Sequence, residues 1–328
     1  MKILITGGTG FLGRHTALYF QKAGAEVTIL GRNKKRGEEI AQNGIQFIPV
    51  DLSDSELTKP LCKNIDVVIH CASLSSPWGS YQDFYSANIQ ATQNILQSCI
   101  LHQVKRFIHI STPSIYFNFQ DRLLISEKDP LPQKMVNFYA LTKLKAEQEV
   151  DQFAQKYSLP TITLRPRAIF GEYDQTIMPR LIRVAKKGRF PLINGGNATL
   201  DLTYVENVVD AIQLAVSASS SCFGKKYNIT NGQPIVLKNL LKEVFQTLNI
   251  PFHPKTISYF VTLQVAGAME LFAKLTRKEP SLTKYSVGVL AKSQTLDISL
   301  AKKELGYNPQ ITIEEGIQRY GNWYKKQL

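Results

Sequence analysis

The sequence has few of the features that mark disulfide-rich, metal-binding or secreted chains. Its 328 residues include only four cysteines, Cys62, Cys71, Cys99 and Cys222, which lack a CxxC pair or any ligand-like spacing. It contains no evident internal repeat or low-complexity segment. The first strand-like run, KILIT, follows Met1 directly and leaves no room for a signal peptide. We therefore expect a cytoplasmic protein with reduced thiols and no metal site.

The chain also lacks any motif of nucleic-acid-binding proteins. Its net charge of +13 attracts anionic partners such as nucleotides or acidic membrane surfaces, but charge alone does not indicate a fold. With 44% hydrophobic residues, the chain can bury a large core, as one large domain or as two closely joined ones. We expect a small-molecule partner and no nucleic acid.

Strand-like and helical segments alternate along the first half of the chain. The strand-like runs are KILIT, EVTIL, IQFIPV, DVVIHCA, RFIHIS and TITLRP, and residues 81–99 and 138–157 show helical periodicity. Such alternation predicts βαβ units and a doubly wound parallel sheet, which is an α/β Rossmann architecture.

The pattern changes after Arg165, where helical segments dominate. These segments are 176–187, 205–217 and 236–248, and residues 226–230 are a further strand candidate that could return to the edge of the sheet. We therefore expect a Rossmann domain at 1–170, to which 198–231 returns. Residues 171–197 and 232–328 would form a smaller, mostly helical substrate-binding lobe over the carboxyl ends of the strands.

A glycine-rich stretch, TGGTGFLG, directly follows the first strand-like run and places Gly7, Gly10 and Gly13 where a helix begins. The missing Cβ atoms allow a tight turn and close approach of the backbone to a pyrophosphate, and the helix N-terminus offers free N–H groups. Elsewhere such a stretch is usually a simple turn. At the first strand-to-helix junction it predicts dinucleotide binding.

The residues after the second strand indicate which dinucleotide binds. An NAD enzyme usually carries an Asp or Glu there, but ILGRN has Gly31 and then Arg32. A guanidinium pairs with the 2′-phosphate that a carboxylate would repel, so we expect NADP, with NAD as the alternative. Arg32 could also be a solvated side chain in a basic run. Asp51, after the third strand, could accept a bond from the adenine amino group or cap the next helix.

Tyr139 and Lys143, in YALTK, lie four residues apart and therefore on one face of a predicted helix. A nearby ammonium lowers a phenol's pKa, and the phenol can then exchange a proton with an alcohol or ketone while a nicotinamide carries the hydride. Alone, such a pair is usually a solvated face. The glycine turn and the hydroxyls of Ser111 and Thr112, in HISTPSIY at the end of the fifth strand, favour catalysis.

These motifs together resemble the extended short-chain dehydrogenase/reductase family, or NAD-dependent epimerase/dehydratase superfamily. TGGTGFLG is similar to its TGxxGxxG loop, STPSIY to its hydroxyl motif and YALTK to its YxxxK motif. Further similar segments, VDLSD, VIHCAS, ANIQATQN, LRPRAIFG and TYVENVVDA, extend along almost the whole chain.

The resemblance implies a role for each motif residue. Tyr139 would be the catalytic acid/base, Lys143 would lower its pKa and hold the nicotinamide ribose, and Thr112 would position the substrate oxygen. Asn88 matches the asparagine of the family's NxxGT motif, although Ala91 replaces its glycine, and its role is in cofactor binding or mainly structural. The other residues implied at the cofactor are Phe11, Leu12, Leu52, Ala72 and Pro166.

Local differences indicate the branch of the family. Nucleotide-sugar members commonly carry an arginine before a DFVYV-like segment to pair with the substrate diphosphate, whereas TLDLTYV has Leu200 there. The dehydratase branch adds acidic residues after its hydroxyl, where this chain has Pro113 and Ser114. LRPRAIFGEYD, TYVENVVDA, YNITNGQP and EPSLTKYSVG instead resemble the 3β-hydroxysteroid dehydrogenase-like branch, and within it bacterial 2-alkyl-3-oxoalkanoate reductases, which act on long-chain β-keto acids.

The expected activity is therefore NADP-dependent interconversion of a ketone and a secondary alcohol on a hydrophobic, β-keto acyl or sterol-like substrate. The alternatives are a nucleotide-sugar 4-epimerase and a non-catalytic dinucleotide-binding regulator. Trp78 and Tyr116, in loops after strand ends, and Arg167 are expected at the substrate. The two aromatic side chains could equally pack within the lobe.

Residues 257–275 are apolar on most sides, but Gln264, Glu270 and Lys274 argue against a membrane span. This segment either packs in the lobe with one face toward the substrate or makes a peripheral contact with a membrane surface. Relatives often dimerise through the Tyr/Lys helix and its neighbour, so the resemblance also implies a homodimer.

Overall fold

A parallel sheet of seven strands lies at the centre of the computed structural model, which describes residues 1–186, 188–276 and 278–327. The strands are β1 (Lys2–Thr6), β2 (Glu26–Gly31), β3 (Gln46–Pro49), β4 (Val67–His70), β5 (Arg106–Ile110), β6 (Arg122–Ile125), β7 (Thr161–Pro166), β8 (Ile169–Phe170), β9 (Arg189–Ile193), β10 (Thr199–Leu200), β11 (Thr203–Tyr204), β12 (Lys225–Ile229), β13 (Ile235–Val236), β14 (His253–Ile257) and β15 (Gln294–Leu296).

Helices flank this sheet and dominate the C-terminal part of the chain. They are α1 (Phe11–Lys22), α2 (Lys34–Ala41), α3 (Ser55–Thr58), α4 (Tyr81–Phe84), α5 (Ala91–Leu101), α6 (Phe138–Tyr157), α7 (Ile177–Ala185), α8 (Val205–Ser217), α9 (Leu237–Thr247), α10 (Tyr259–Thr276), α11 (Lys284–Ala291), α12 (Ser299–Leu305) and α13 (Ile313–Lys325). None of the described helices is both long and apolar enough to cross a bilayer.

The central sheet has the strand order β12-β7-β5-β4-β1-β2-β3, with parallel pairing throughout. The order reverses between β1 and β4, which is the switch point of a doubly wound fold. Ile3, Leu4 and Ile5 of β1 have no solvent exposure, as expected for a parallel strand covered on both faces. The predicted Rossmann fold with a smaller helical C-terminal part is confirmed.

Two apolar clusters cover the opposite faces of the sheet. Alternate residues of β1 divide between them: Ile3 and Ile5 pack with α1 and α8, whereas Leu4 packs with α5. The strand candidate at 226–230 forms β12 and pairs with β7 at the sheet edge. This arrangement brings the carboxyl ends of β1, β4, β5 and β7 to a common edge of the sheet.

The predicted helices differ from the observed ones mainly at residues 81–99. A π-helical turn, Tyr85–Gln90, separates α4 from α5 there. Helical periodicity in a sequence cannot distinguish this wider turn from an α-helical one, and such turns are frequent at functional sites. The other predicted helices correspond to α6, α7, α8 and α9, with ends shifted by at most two residues.

Smaller sheets join the parts of the chain that lie outside the central sheet. One has the order β13-β10-β15-β6, and β14 pairs with β9 in another. Strand β6 was not predicted from the sequence, because it is short and half exposed. Because β10 pairs with both β13 and β15, hydrogen bonds cross the expected boundary between 198–231 and the later residues. The expected division into domains stays a prediction.

A buried ion pair fixes α6 against the sheet. The Arg165 guanidinium in β7 donates two hydrogen bonds to the Glu147 carboxylate in α6, one of them 2.9 Å long from Nε to Oε1. The two side chains are only 4% and 1% exposed. Arg165 also donates to the Tyr116 hydroxyl, which in turn donates to Asn228 Oδ1 of β12 at 3.2 Å. This network ties α6 to β7 and β12.

The variant Arg165→Met removes one partner of the pair and leaves a buried carboxylate without compensation. We expect the free energy of unfolding to fall by about 3–5 kcal/mol, measured by urea unfolding followed with circular dichroism. The double variant Arg165→Met/Glu147→Leu removes both charges and should lose less free energy of unfolding than the single variant. Equal losses in the single and double variants would show that pairing does not stabilise the fold.

Candidate active site

The glycine turn at the end of β1 forms one wall of the site. Gly7 has a φ of +66°, and a Cβ there would lie 2.8 Å from the backbone nitrogen of Ala72. A Cβ on Gly13 would lie 2.3 Å from the carbonyl oxygen of Gly7. Both positions therefore require glycine, because the turn packs tightly against the loop after β4 and against the first turn of α1.

Helix α1 begins at this turn with free N–H groups. Gly10 is its N-cap residue, and among the described residues no side chain caps the helix. Phe11 and Leu12 are the first two residues of α1, half-buried and buried respectively. A backbone cradle without side chains at a helix N-terminus fits the pyrophosphate of a dinucleotide, since the exposed amides and the helix dipole favour negative charge.

The ends of β2 and β3 lie beside this turn. A Cβ on Gly31 would lie 2.4 Å from the Thr9 hydroxyl, so the position has no room for an acidic side chain. Arg32 is exposed, and its Nη1 lies 3.8 Å from Asp51 Oδ2. The pKa of Asp51 is lowered, first by the hydrogen bond from the Ser53 backbone N–H.

Helix α6 presents Tyr139 and Lys143 at the same edge of the sheet. The side chain of Asn137 caps the helix by accepting from the Ala140 N–H at 2.8 Å. Lys143 is 2% exposed, and its Nζ donates to the Ile110 carbonyl oxygen at 2.6 Å. Ile110 is the last residue of β5, so this hydrogen bond anchors the helix over the strand ends.

Hydroxyl groups surround the Tyr139 phenol. The hydroxyls of Ser75 and Thr112 lie near it and act to lower its pKa. Thr112 also donates to the Ser114 hydroxyl at 3.0 Å and accepts from the Ser114 N–H at 3.2 Å. The neighbouring Ser111 is buried, and its hydroxyl makes no hydrogen bond to any described residue. Thr112 is therefore the hydroxyl of the STPSIY segment that the structure brings to Tyr139.

Burial shifts the pKa values of the two α6 residues in opposite directions. Burial raises the pKa of Tyr139, and the Ser75 and Thr112 hydroxyls offset this only in part. Burial lowers the pKa of Lys143 to about 8, against the opposing effects of Glu147 and Cys71. The raised pKa of Tyr139 runs against the lowering expected from Lys143, whose ammonium donates instead to the Ile110 carbonyl oxygen.

Asn88 lies in the π-helical turn with a fully engaged side chain. Its Oδ1 accepts from the Leu74 N–H at 2.7 Å and from the Ser73 hydroxyl at 3.1 Å, and its Nδ2 donates to the Thr142 hydroxyl at 3.0 Å. It thus joins the loop after β4 to α6. In this structure the side chain holds the walls of the site together, in agreement with the mainly structural alternative.

The remaining expected cofactor residues lie at three strand ends. Ala72, in the loop after β4, donates its N–H to the Thr6 hydroxyl at 3.1 Å and packs on Gly7. Leu52 follows β3 and is 7% exposed. Pro166 is the last residue of β7. All of them are on the carboxyl side of the sheet, at the edge where such folds bind ligands.

The three residues expected at the substrate have different positions. Trp78 is half-buried in the loop after β4, where its N–H donates to the Ser76 hydroxyl at 3.2 Å. Arg167, directly after β7, is 7% exposed. Tyr116 has no solvent exposure, and its hydroxyl bonds to Arg165 and Asn228 behind the site. The expectation that Tyr116 faces the substrate is therefore wrong, because the buried network holds it.

Tyr285 is a site residue that was not predicted from the sequence. This tyrosine of α11 places its hydroxyl 2.8 Å from the Ser114 hydroxyl. It lies within electrostatic range of both Tyr139 and Arg167, and burial raises its pKa. EPSLTKYSVG contains it, but nothing in that segment alone indicates that a residue this late in the chain returns to the STPSIY turn.

Comparisons with known proteins identify the family. The model of the NAD dependent epimerase/dehydratase family matches residues 3–230, so the chain belongs to that family. It is 36% identical to "Uncharacterized protein YbjS" of Escherichia coli (strain K12) over 99% of this chain and 98% of that protein.

Two relatives whose names state an activity agree with the branch inferred from the motifs. The chain is 33% identical to a 2-alkyl-3-oxoalkanoate reductase of Stenotrophomonas maltophilia (strain K279a), over 97% of this chain and 98% of that protein. It is 32% identical to the sterol-4-alpha-carboxylate 3-dehydrogenase ERG26, decarboxylating, of Candida albicans, over 99% of this chain and 98% of that protein. The chain is thus a member of the 3β-hydroxysteroid dehydrogenase-like branch.

A solved structure with the same fold is UDP-glucose 4-epimerase from Thermotoga maritima. Its TM-score is 0.82 with 22% identity, and the match covers 100% of this chain and 99% of that one. At this level of identity the match supports the fold alone.

The variant Gly10→Val tests the glycine turn. Gly10 has a φ of −87°, which any residue can adopt, but a Cβ there would lie 3.1 Å from the Gly7 carbonyl oxygen, so the turn must shift by a few tenths of an ångström to accept a side chain. The isopropyl group would occupy the approach to the α1 amides, and we expect at least a tenfold loss of dinucleotide affinity in calorimetric titrations. Gly10→Ala, with a smaller side chain, should lose less dinucleotide affinity than Gly10→Val. Unchanged affinity in Gly10→Val would place the pyrophosphate elsewhere.

Proposed function

We propose that the protein is an oxidoreductase that interconverts a ketone and a secondary alcohol on a hydrophobic substrate, with Tyr139 as the acid/base. The observation that carries this proposal is the position of the Tyr139 phenol, which lies near the hydroxyls of Thr112, just after β5, and of Ser75, in the loop after β4. A bound reduced nicotinamide supplies the hydride in such a reaction.

The protein's own residues supply the proton and hold the substrate oxygen. Because the pKa of Tyr139 is raised, the phenol is protonated at neutral pH and can donate its proton to the carbonyl oxygen as the hydride reaches the carbon. The Thr112 hydroxyl is placed to hold that oxygen. Lys143, one helical turn after Tyr139 in α6, has a pKa of about 8 and retains its proton near neutral pH.

The proposed cofactor is NADP, with NAD as the alternative. Two features support this preference: Gly31 cannot be replaced by an acidic residue without displacing Thr9, and the exposed Arg32 follows it. The ion pair of Arg32 with Asp51 is long and solvated. Breaking it so that Arg32 can pair with a 2′-phosphate therefore costs little free energy. A charge-assisted bond of this kind favours NADP by roughly ten- to hundredfold.

The proposed substrate is a β-keto acyl or sterol-like molecule. The names of the two relatives describe an oxoalkanoate and a sterol carboxylate, both apolar compounds with an oxygen-bearing carbon near a carboxylate. Leu200 is buried in β10, so this position offers no charge to a sugar diphosphate. A nucleotide-sugar 4-epimerase and a non-catalytic regulator are the alternatives that the experiment below separates.

We also propose that α10 contacts a membrane surface. Six large apolar side chains of this helix are at least half exposed: Phe260, Val261, Val265, Leu271, Phe272 and Leu275. At 100° per residue they fall within an arc of about 140°, opposite the buried Thr262, Ala266 and Ala273. An outward apolar stripe beside exposed lysines is typical of helices that lie on anionic bilayers.

The activity proposal is tested by following NADPH and NADH oxidation with long-chain β-keto acids, 3-ketosteroids and 4-keto nucleotide sugars. We expect turnover of an apolar ketone, faster with NADPH, and a fall of about 10²–10⁴-fold in kcat in Tyr139→Phe. Tyr157→Phe, at the exposed end of the same helix, is the matched control and should retain activity.

Other results of this panel would favour the alternatives. Turnover of the nucleotide sugars alone would support the epimerase. Tight NADPH binding with no turnover of any compound would support the regulator. Equal rates with the two dinucleotides, unaffected by Arg32→Ser, would reject the NADP preference.

The membrane proposal is tested by flotation with vesicles of phosphatidylcholine, with and without phosphatidylglycerol. We expect the wild type to float with the anionic vesicles and Phe260→Ser/Phe272→Ser to stay in solution. Leu123→Ser/Leu124→Ser, which changes two exposed leucines of β6, is the control and should still float. The wild type could instead remain in solution and sediment as a dimer that the α10 variant dissociates. That result would show that this face contacts a second copy of the chain. The homodimer implied by the resemblance stays a prediction.

A further inference from the structure

Arg167 is a buried cation that has no acidic partner among the described residues. The residue as a whole is 7% exposed. Its Nη1 donates to Gln294 Oε1, and its Nε is buried without a hydrogen bond to any described residue. No carboxylate of the described chain lies within ion-pair distance. Arg165, two residues earlier, differs in having both a bidentate partner and a hydrogen-bonded tyrosine.

The groups around Arg167 do not neutralise it. The nearest acidic residue that influences it, Asp201, directs Oδ2 to the Leu296 N–H at 2.7 Å and is itself 1% exposed. Burial lowers the pKa of Arg167, and Tyr285 and Asp201 oppose this effect only in part. A buried guanidinium in this condition is stabilised by any anion that can reach it.

The free edge of this guanidinium has the shape of a carboxylate site. Gln294 occupies Nη1, while Nε and Nη2 donate no hydrogen bond to the described residues. These two nitrogens form one side of the planar guanidinium and can donate two parallel bonds to the two oxygens of a carboxylate. Arg167 lies directly after Pro166, at the carboxyl end of β7, and so at the ligand-binding edge of the sheet.

A chain of hydroxyls leads from the reacting group to Tyr285, which lies within electrostatic range of Arg167. Thr112, which faces Tyr139, donates to Ser114, and the Ser114 hydroxyl lies 2.8 Å from that of Tyr285. Tyr285 is within electrostatic range of both Tyr139 and Arg167. An anion held by Arg167 would therefore lie beside the carbonyl group that Tyr139 protonates.

We infer that Arg167 and Tyr285 bind the carboxylate of a β-keto acid, or of the corresponding β-hydroxy acid, and thereby select acidic over neutral substrates. This inference rests on the proposed ketone reductase function. A monoanion fits better than a diphosphate because the site offers one guanidinium and contains Asp201, whose charge disfavours a second negative group.

The first test compares 3-oxodecanoate, freshly prepared, with its methyl ester. Both present the same ketone and alkyl chain, but only the acid can bind Arg167. We expect the wild type to prefer the acid by about ten- to hundredfold in kcat/KM, and Arg167→Met to lose this preference. Arg167→Lys retains the charge but not the two parallel donors of the guanidinium, and should give an intermediate ratio of kcat/KM for acid over ester. Arg183→Met, an exposed arginine of α7, is the control and should keep the wild-type ratio.

The second test does not depend on turnover. In the presence of NADP⁺, decanoate should raise the melting temperature of the wild type more than 1-decanol does, and Arg167→Met should remove the difference. A larger stabilisation by UDP-glucose that also depends on Arg167 would overturn the inference in favour of a diphosphate site.

The outcomes separate the two proposals. If the wild type reduces no ketone, the proposed function fails, whatever the melting temperatures. If it reduces acid and ester with equal kcat/KM, the carboxylate site is rejected while the reductase stands. The wild-type comparison needs no variant, so it remains decisive even if a substitution at Arg167 prevents folding.

Discussion

The buried ion pair between Glu147 and Arg165 is the contact on which the arrangement of the site depends. Glu147 follows Tyr139 and Lys143 at intervals of four residues, so all three lie along one face of α6. Arg165 lies in β7, one residue before the strand ends. Two charges removed from water cannot separate cheaply, and their pairing therefore holds Tyr139 and Lys143 at fixed positions over the strand ends.

The same burial determines the chemistry of the two α6 side chains. Burial disfavours the charged form of each, so it raises the pKa of the Tyr139 phenol and lowers that of the Lys143 ammonium. The phenol is thereby kept protonated at neutral pH, and the lysine titrates closer to neutral pH. The contrast between Arg165 and Arg167 follows the same logic, because one buried guanidinium has its anion within the chain, whereas the other has a buried Nε without a hydrogen bond to any described residue.

Much of the fold and the central part of the site could be predicted from local patterns. The strand-like runs, the glycine turn and the helix at 138–157 all correspond to observed elements, since their signals lie within a few consecutive residues. The π-helical turn at Tyr85–Gln90 could not be predicted, because the apolar period does not report a one-residue widening of a helix. Tyr116 was misplaced because its hydrogen-bond partners lie 49 and 112 residues further along the chain.

The sequence by itself determined the Rossmann sheet, the dinucleotide turn, the Tyr139/Lys143 pair and the family, because each depends on the spacing of neighbouring residues. Only the tertiary structure decided the partner of each buried charge and the return of Tyr285 to the Ser114 hydroxyl. It also decided which apolar residues of α10 remain exposed. These features depend on which distant segments pack together, and the free energy of burying a charge or an apolar surface is set by that packing, not by the order of residues along the chain.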